Sequence, residues 1–203
     1  MIKFTNNKPM QDFPLYFDLG LHHILDWQGY DHILFVMALC GVYTIKDWKK
    51  VLILVTAFTI GHSITLALSV LNIFHFNTKL IEFLIPVTIL ITAFSNILSK
   101  KSKPKGIQIK YTLALVFGFI HGMGFSNYLK SLLGKSTSIV AELFAFNLGL
   151  EVGQVAIVLL TLTLGFILIS IVKIKLWDWT FFLSSAIFGI SFIMAAERLP
   201  ALL

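Results

Sequence analysis

Apolar runs of about twenty residues recur along the whole chain, and bilayer-spanning helices are the one architecture that explains such repetition. Spans are expected at roughly 30–45, 50–73, 79–99, 110–133, 138–172 and 177–197. The predicted fold class is therefore all-α, a polytopic transmembrane bundle of about six spans. The whole of 1–203 reads as one integral membrane domain, with 1–29 as an N-terminal segment and 30–203 as the bundle. Hydrophobic residues make up 57% of the 203 positions and charged ones 13%, which leaves too little polar surface for a water-soluble globule.

The segment Phe13 to Trp27 reads either as a short helix lying at the membrane surface, ended near Gly29, or as the start of one kinked helix over about 14–45. The fifth stretch exceeds what a bilayer needs, so it tilts or breaks, with Gly149 and Gly153 as the expected break points. Residues Met1 to Pro14 are polar and mixed and do not read as a cleavable signal peptide. A single cysteine, Cys40, rules out an internal disulfide.

The net charge of +6 sits in short loops, so it signals topology rather than nucleic-acid binding. Ten of the 16 basic residues fall on one side: Lys46, Lys49 and Lys50, then Lys100, Lys101, Lys103, Lys105 and Lys110 around Pro104 and Gly106, then Lys173 and Lys175. Lys3, Lys8, Lys79, Lys130, Lys135 and Arg198 fall on the other. The positive-inside rule then puts both termini outside the cytoplasm, in what is expected to be a bacterial cytoplasmic membrane.

A charged side chain at bilayer depth costs roughly 2.5–3.5 kcal/mol on insertion scales. This chain nevertheless carries Asp31, His32, His62, Glu82, His121, Glu142 and Glu151 within its spans. His62 lies about twelve residues into the second span, roughly 18 Å from the cytoplasmic face, and His121 and Glu151 lie at similar depth. Asp31, His32 and Glu82 begin their spans from the outside. These groups belong to separate helices that one bundle can gather around a single outward-leaning cavity. Imidazoles with carboxylates suit nickel, cobalt, zinc or iron. Asp31 and His32 are adjacent, about 100° apart on a helix, so one is expected to ligate while the other orients a neighbour. Against this stands a plainer reading, in which each histidine hydrogen-bonds a neighbouring helix.

Ser63, Ser126, Asn127, Asn147 and Gln154 either line the same cavity or bond their own backbone and neighbouring helices. His22 is expected at the surface and His75 in an interfacial loop. Glu197 and Arg198 are expected to pair with each other. Glycines beside His121 and Glu151 read chiefly as close helix packing. Phe58–His62 and Phe117–His121 share a Phe-x-x-x-His spacing, a faint sign of internal duplication.

These residues resemble the HupE/UreJ family of membrane proteins, linked with hydrogenase and urease maturation. The matching segments are Leu21-His22-His23-Ile24-Leu25, Gly29-Tyr30-Asp31-His32-Ile33-Leu34-Phe35, Phe58-Thr59-Ile60-Gly61-His62-Ser63, Glu82-Phe83-Leu84-Ile85-Pro86, Phe117-Gly118-Phe119-Ile120-His121-Gly122-Met123-Gly124-Phe125 and Phe146-Asn147-Leu148-Gly149-Leu150-Glu151-Val152-Gly153-Gln154. The resemblance implies a nickel or cobalt permease in which His23, Asp31 and His32 admit the metal. His62, His121, Glu151 and Glu82 would be further polar groups on its route. It also implies metalloenzyme maturation proteins as partners, beside the lipid bilayer and the ion itself. Self-association into a homo-oligomer stays open. The spacing departs from the His-x-x-x-x-Asp-His of nickel–cobalt permeases more broadly, since Asp26 holds that first position and residues 24–30 separate His23 from Asp31.

The first functional expectation is thus a permease with a divalent transition metal, nickel or cobalt, as cargo. The runner-up is an intramembrane metal-dependent hydrolase holding zinc, with Glu151 or Asp31 as general base. A third is a non-transporting accessory subunit whose polar groups only pack helices.

Overall fold

The computed structural model describes residues 13–73, 77–99, 107–133 and 139–202. His75, Lys3, Lys8, Lys100, Lys101, Lys103, Lys105, Lys135, Pro104 and Gly106 lie outside the described residues, as do the side chains of Asn127 and Lys130. The described residues form seven α-helices and no strand: α1 (Phe13–Leu25), α2 (Asp31–Cys40), α3 (Trp48–Val70), α4 (Thr78–Leu98), α5 (Ile107–Leu133), α6 (Ile139–Phe166) and α7 (Leu176–Arg198).

Local chemistry sets the helix starts. The Asn77 carboxamide accepts from the backbone N–H groups of Lys79 and Leu80, at 3.1 and 3.3 Å, and caps α4. Thr44 and Asp47 form a capping box ahead of α3, with the Thr44 hydroxyl donating to Asp47 at 3.0 Å. At the far end of α3, Asn72 turns the chain with φ of 57°, a conformation asparagine tolerates better than most residues.

Four helical stretches have both the length and the apolarity to cross a membrane: Ile45–Val70, Thr78–Leu98, Ile139–Ile171 and Leu176–Ala201. The fourth expected span, α5, has 27 residues, about 40 Å of helix, but its apolar run is interrupted by His121, Ser126 and Asn127. The first expected span, 30–45, contains only the ten residues of α2, about 15 Å, or half a hydrocarbon core. Among the described residues the helices thus include four of spanning length and apolarity, one long but more polar helix, and the ten-residue α2, a set that does not by itself establish a count of six. The short α2 is nonetheless central, because seven of its ten residues are buried. Val36 and Cys40 face one apolar cluster, and Leu34, Phe35 and Ala38 face the other. A helix that ends inside the bundle leaves carbonyls without partners. The Asn96 amide donates to the Ala38 carbonyl at 2.8 Å, and the Thr180 hydroxyl donates to that of Gly41 at 2.9 Å.

The segment before α2 is not the start of one kinked helix over 14–45: α1 ends at Leu25 and does not continue into α2. It packs along α6, with Tyr16, Gly20 and Ile24 buried. A Cβ at Gly20 would overlap the Phe146 carbonyl, one at Gly149 the Phe17 carbonyl, and one at Gly153 the Ile24 side chain. Gly149 and Gly153 therefore do not break α6, which runs unbroken to Phe166 before a π-helical turn at Ile167–Ile171. They let two backbones touch, the small-xxx-small device of membrane helices.

The same device joins α3 to α5. Gly118 sits against the Phe58 carbonyl, Gly61 against that of Leu115, and Gly122 against Thr65 and His62. Ascending numbers meet ascending numbers in both cases, so α1–α6 and α3–α5 are two tightly joined parallel pairs. Helices α4 and α7 run antiparallel, with Phe94 against Phe188 and Glu82 near Arg198.

Candidate metal centre

Four helices each deliver one imidazole to a common region. His23 comes from the last turn of α1, His32 from the first turn of α2, His62 from the middle of α3 and His121 from α5. Ring centroids lie 4.7 Å apart for His23 and His32, 6.0 Å for His23 and His62, 6.0 Å for His32 and His62, and 5.2 Å for His32 and His121. His23, His32 and His62 each offer a nitrogen, and these three lie within 4.8 Å of one another.

Hydrogen bonds fix which nitrogens are free. The His121 Nδ1 lies 2.9 Å from the Phe117 carbonyl. A carbonyl can only accept, so Nδ1 carries the proton and Nε2 is left as a lone pair. The His32 Nδ1 lies 2.9 Å from the Asp31 carboxylate, which by the same logic aims the lone pair of its Nε2 inward. Nε2 of His23, His32 and His121, and both nitrogens of His62, are buried without a hydrogen-bond partner. An unmet buried polar atom costs about 1–3 kcal/mol, so five in one region could together hold a ligand. Aromatic rings hold the imidazoles in place: Phe125 lies 3.8 Å from His23, Phe146 stacks at 6.4 Å on His62, and Phe35 and Phe58 lie 5.1 and 5.2 Å from His121.

A cavity of about 400 Å³ opens over this group. His23, His32 and His121 line it, and Asp26, Asp31, Glu82 and Arg198 supply its charge. Three carboxylates against one guanidinium make it attractive to a cation.

The other sequence candidates divide clearly. Asp31 does not join the three-nitrogen cluster. Its carboxylate accepts from the His32 backbone N–H, faces the His32 ring, and stands 3.9 Å from the Arg198 guanidinium. Glu82 is exposed at the cavity rim. Glu151 is not gathered with the histidines. It accepts from the Thr56 hydroxyl at 2.8 Å, across the α3–α6 contact. Gln154 accepts from Thr59 at 2.6 Å, one turn of α3 away from His62. Ser63, Ser126 and Asn147 each donate to a carbonyl of their own helix, those of Thr59, Met123 and Leu143, and do not line the cavity. His22 is exposed and pairs with Asp18 at 3.2 Å.

Arg198 is the residue the sequence reading misplaced. It was expected to pair with Glu197. It reaches instead over the cavity, donating to the Glu82 carbonyl at 2.7 Å. Adjacent residues on a helix point about 100° apart, which already disfavoured the pairing, and only the antiparallel α4–α7 packing supplies the real partners.

A model of the HupE / UreJ protein family matches residues 2–197, nearly the full length. No curated protein and no solved structure matches the chain.

Proposed function

The chain belongs to the HupE/UreJ family, and we propose that it is a membrane permease for a divalent transition metal, captured by His23, His32 and His62. The observation that carries this reading is the convergence of three imidazole nitrogens, from three helices, beside an open acidic cavity that His23 and His32 line. Imidazole is a borderline-soft donor that suits nickel, cobalt and zinc, and three such donors leave further positions for water. Asp31 orients His32 and raises its basicity, and His121 stands by as a fourth imidazole next to His32. Glu82 and Asp26 draw the cation to the rim. An outward-facing cavity is supported by the lysine distribution, since Lys46, Lys49, Lys50, Lys173 and Lys175 sit at the opposite helix ends. Lipid is the surrounding partner, and nickel or cobalt is the cargo.

Uptake of radioactive nickel, cobalt and zinc into cells making the protein tests the proposal. Accumulation above control cells, lost in His32→Ala and His62→Ala, is the expected result. No accumulation with the wild type removes the permease reading.

One observation favours a second reading, an intramembrane zinc-dependent hydrolase. Three histidines with an open coordination position facing a cavity are also what a catalytic zinc uses to activate water. Metal that stays bound to purified protein through washing, with no uptake by cells, supports that reading over transport.

A further inference from the structure

A permease needs a way past its binding site, and the structure offers two directions away from the cavity. The first runs beneath His121. There Phe35, Phe58 and Phe117 close together, with centroids 5.0 Å apart for Phe35 and Phe58 and 5.7 Å for Phe35 and Phe117. All three rings are buried, and Leu54 lies with them in the same apolar cluster. An ion finds no ligand there.

The second runs along the contact between α3 and α6. Because α3 runs parallel to α5, whose Gly124 and Phe125 line the cavity, residues preceding His62 lead away from it. Thr59 lies one turn on, about 4.5 Å, and Thr56 about 9 Å on. Each faces an α6 side chain: Thr59 bonds Gln154 and Thr56 bonds Glu151. Gln154 is fully buried and its amide nitrogen has no partner. The Glu151 carboxylate is half-buried and accepts from Thr56 alone, with no basic side chain in an ion pair with it among the described residues. A half-buried carboxylate with one hydroxyl donor and no cation keeps acceptor capacity for a ligand.

We propose that Thr56, Thr59, Glu151 and Gln154 form a second, oxygen-lined station for the divalent cation, the first stop on its way from the histidines to the face opposite the cavity. The inference rests on the permease reading and supplies the step that reading lacks. Oxygen ligands hold a transition metal less tightly than imidazoles do. The ion is thus captured firmly and handed to a weaker site, the gradation that lets it leave. The station also lies on a helix contact that no described glycine tightens. Glycines lock α1 to α6 and α3 to α5, and no described glycine makes a close approach between α3 and α6. The seam between these two locked pairs has His23 facing His62 and Glu151 facing Thr56. A small rotation of one pair against the other widens that seam without breaking either glycine contact.

The test uses full-length protein in liposomes of phosphatidylethanolamine and phosphatidylglycerol, with nickel(II) and cobalt(II) as probes. Glu151→Gln and Thr59→Val are each measured for bound metal at equilibrium and for initial flux. The expected result is unchanged binding at the histidines, with flux reduced about tenfold or more and partly restored in Glu151→Asp. Unchanged flux in both variants overturns the station and leaves the permease reading standing. Loss of binding together with flux in both, or failure of both to fold, overturns it in favour of a packing role. Wild-type protein that binds metal and moves none removes the permease reading itself, and the station with it.

Discussion

His62→Leu separates a ligand histidine from a packing histidine, because the two roles predict opposite signs of stability change. His62 is fully buried and both its nitrogens lack partners. At about 1–3 kcal/mol for each unmet group, metal-free protein carries up to about 2–6 kcal/mol of unfavourable desolvation at this one residue. Leucine has similar bulk and no polar atom, so the variant is relieved of that cost. Even about 1 kcal/mol of relief raises Tm by about 2–4 °C for a chain of this size. Metal acts the other way on the wild type. Nickel(II) at a hundred times its Kd stabilises by about 2.7 kcal/mol, or about 5–11 °C. With one of three converging imidazoles gone, that shift disappears. Thermal unfolding in detergent, with chelator and then with added nickel(II), reads both quantities. A variant that melts below wild type in chelator, by the loss expected of an interhelical hydrogen bond (about 0.6–1.7 kcal/mol), and keeps the full nickel shift refutes the reasoning.

Other substitutions follow from the same geometry. Asp31→Asn keeps the volume but weakens the partner of His32 Nδ1, so metal affinity falls about 10–100-fold in a calorimetric titration while stoichiometry at saturation holds. His22→Ala leaves affinity unchanged in the same titration, since that ring is exposed and turned to Asp18. Gly118→Leu drives a side chain into the Phe58 carbonyl and lowers stability by at least about 1–3 kcal/mol, seen as a lower Tm. Gly189→Ala, inside α7 with nothing within 4 Å of the added carbon, does not lower Tm and raises it slightly, since alanine is favoured over glycine within a helix.

The long helices were legible in the sequence because twenty apolar residues in a row have one stable outcome in lipid. The expected 50–73, 79–99, 138–172 and 177–197 fall within a few residues of the observed helices. The half-helix was not legible. An apolar run continues past Cys40 through Gly41 to Ile45, and hydropathy does not register that Asn96 and Thr180 stand ready to satisfy the carbonyls of a helix that stops early. Glycine was ambiguous for a related reason. Gly149 and Gly153 permit either a break or a close approach, and only α1, packed alongside, selects the second.

Within the site, the sequence pointed to His32, His62 and His121 because imidazole in hydrocarbon needs a reason. Their proximity follows from helix packing that no spacing encodes. His23 lies far from Asp31 along the chain, yet the turn over residues 26–30 returns it to 4.7 Å from His32. Glu151 meets Thr56 instead of the imidazoles because it lies about 140° round α6 from Phe146, the residue that stacks on His62. Arg198 lies at the opposite end of the chain from Asp31, and nothing local announces their meeting.

X-ray absorption at the metal K-edge of purified protein, equilibrated with nickel(II) or zinc(II), addresses the central claim most directly. The account predicts one tightly held ion per chain, a first shell at about 2.0–2.1 Å, and the multiple-scattering pattern of about three imidazoles, with the tightly held ion lost in His62→Leu. A spectrum of oxygen ligands only, or an ion lost on gel filtration with His23, His32 and His62 intact, contradicts it.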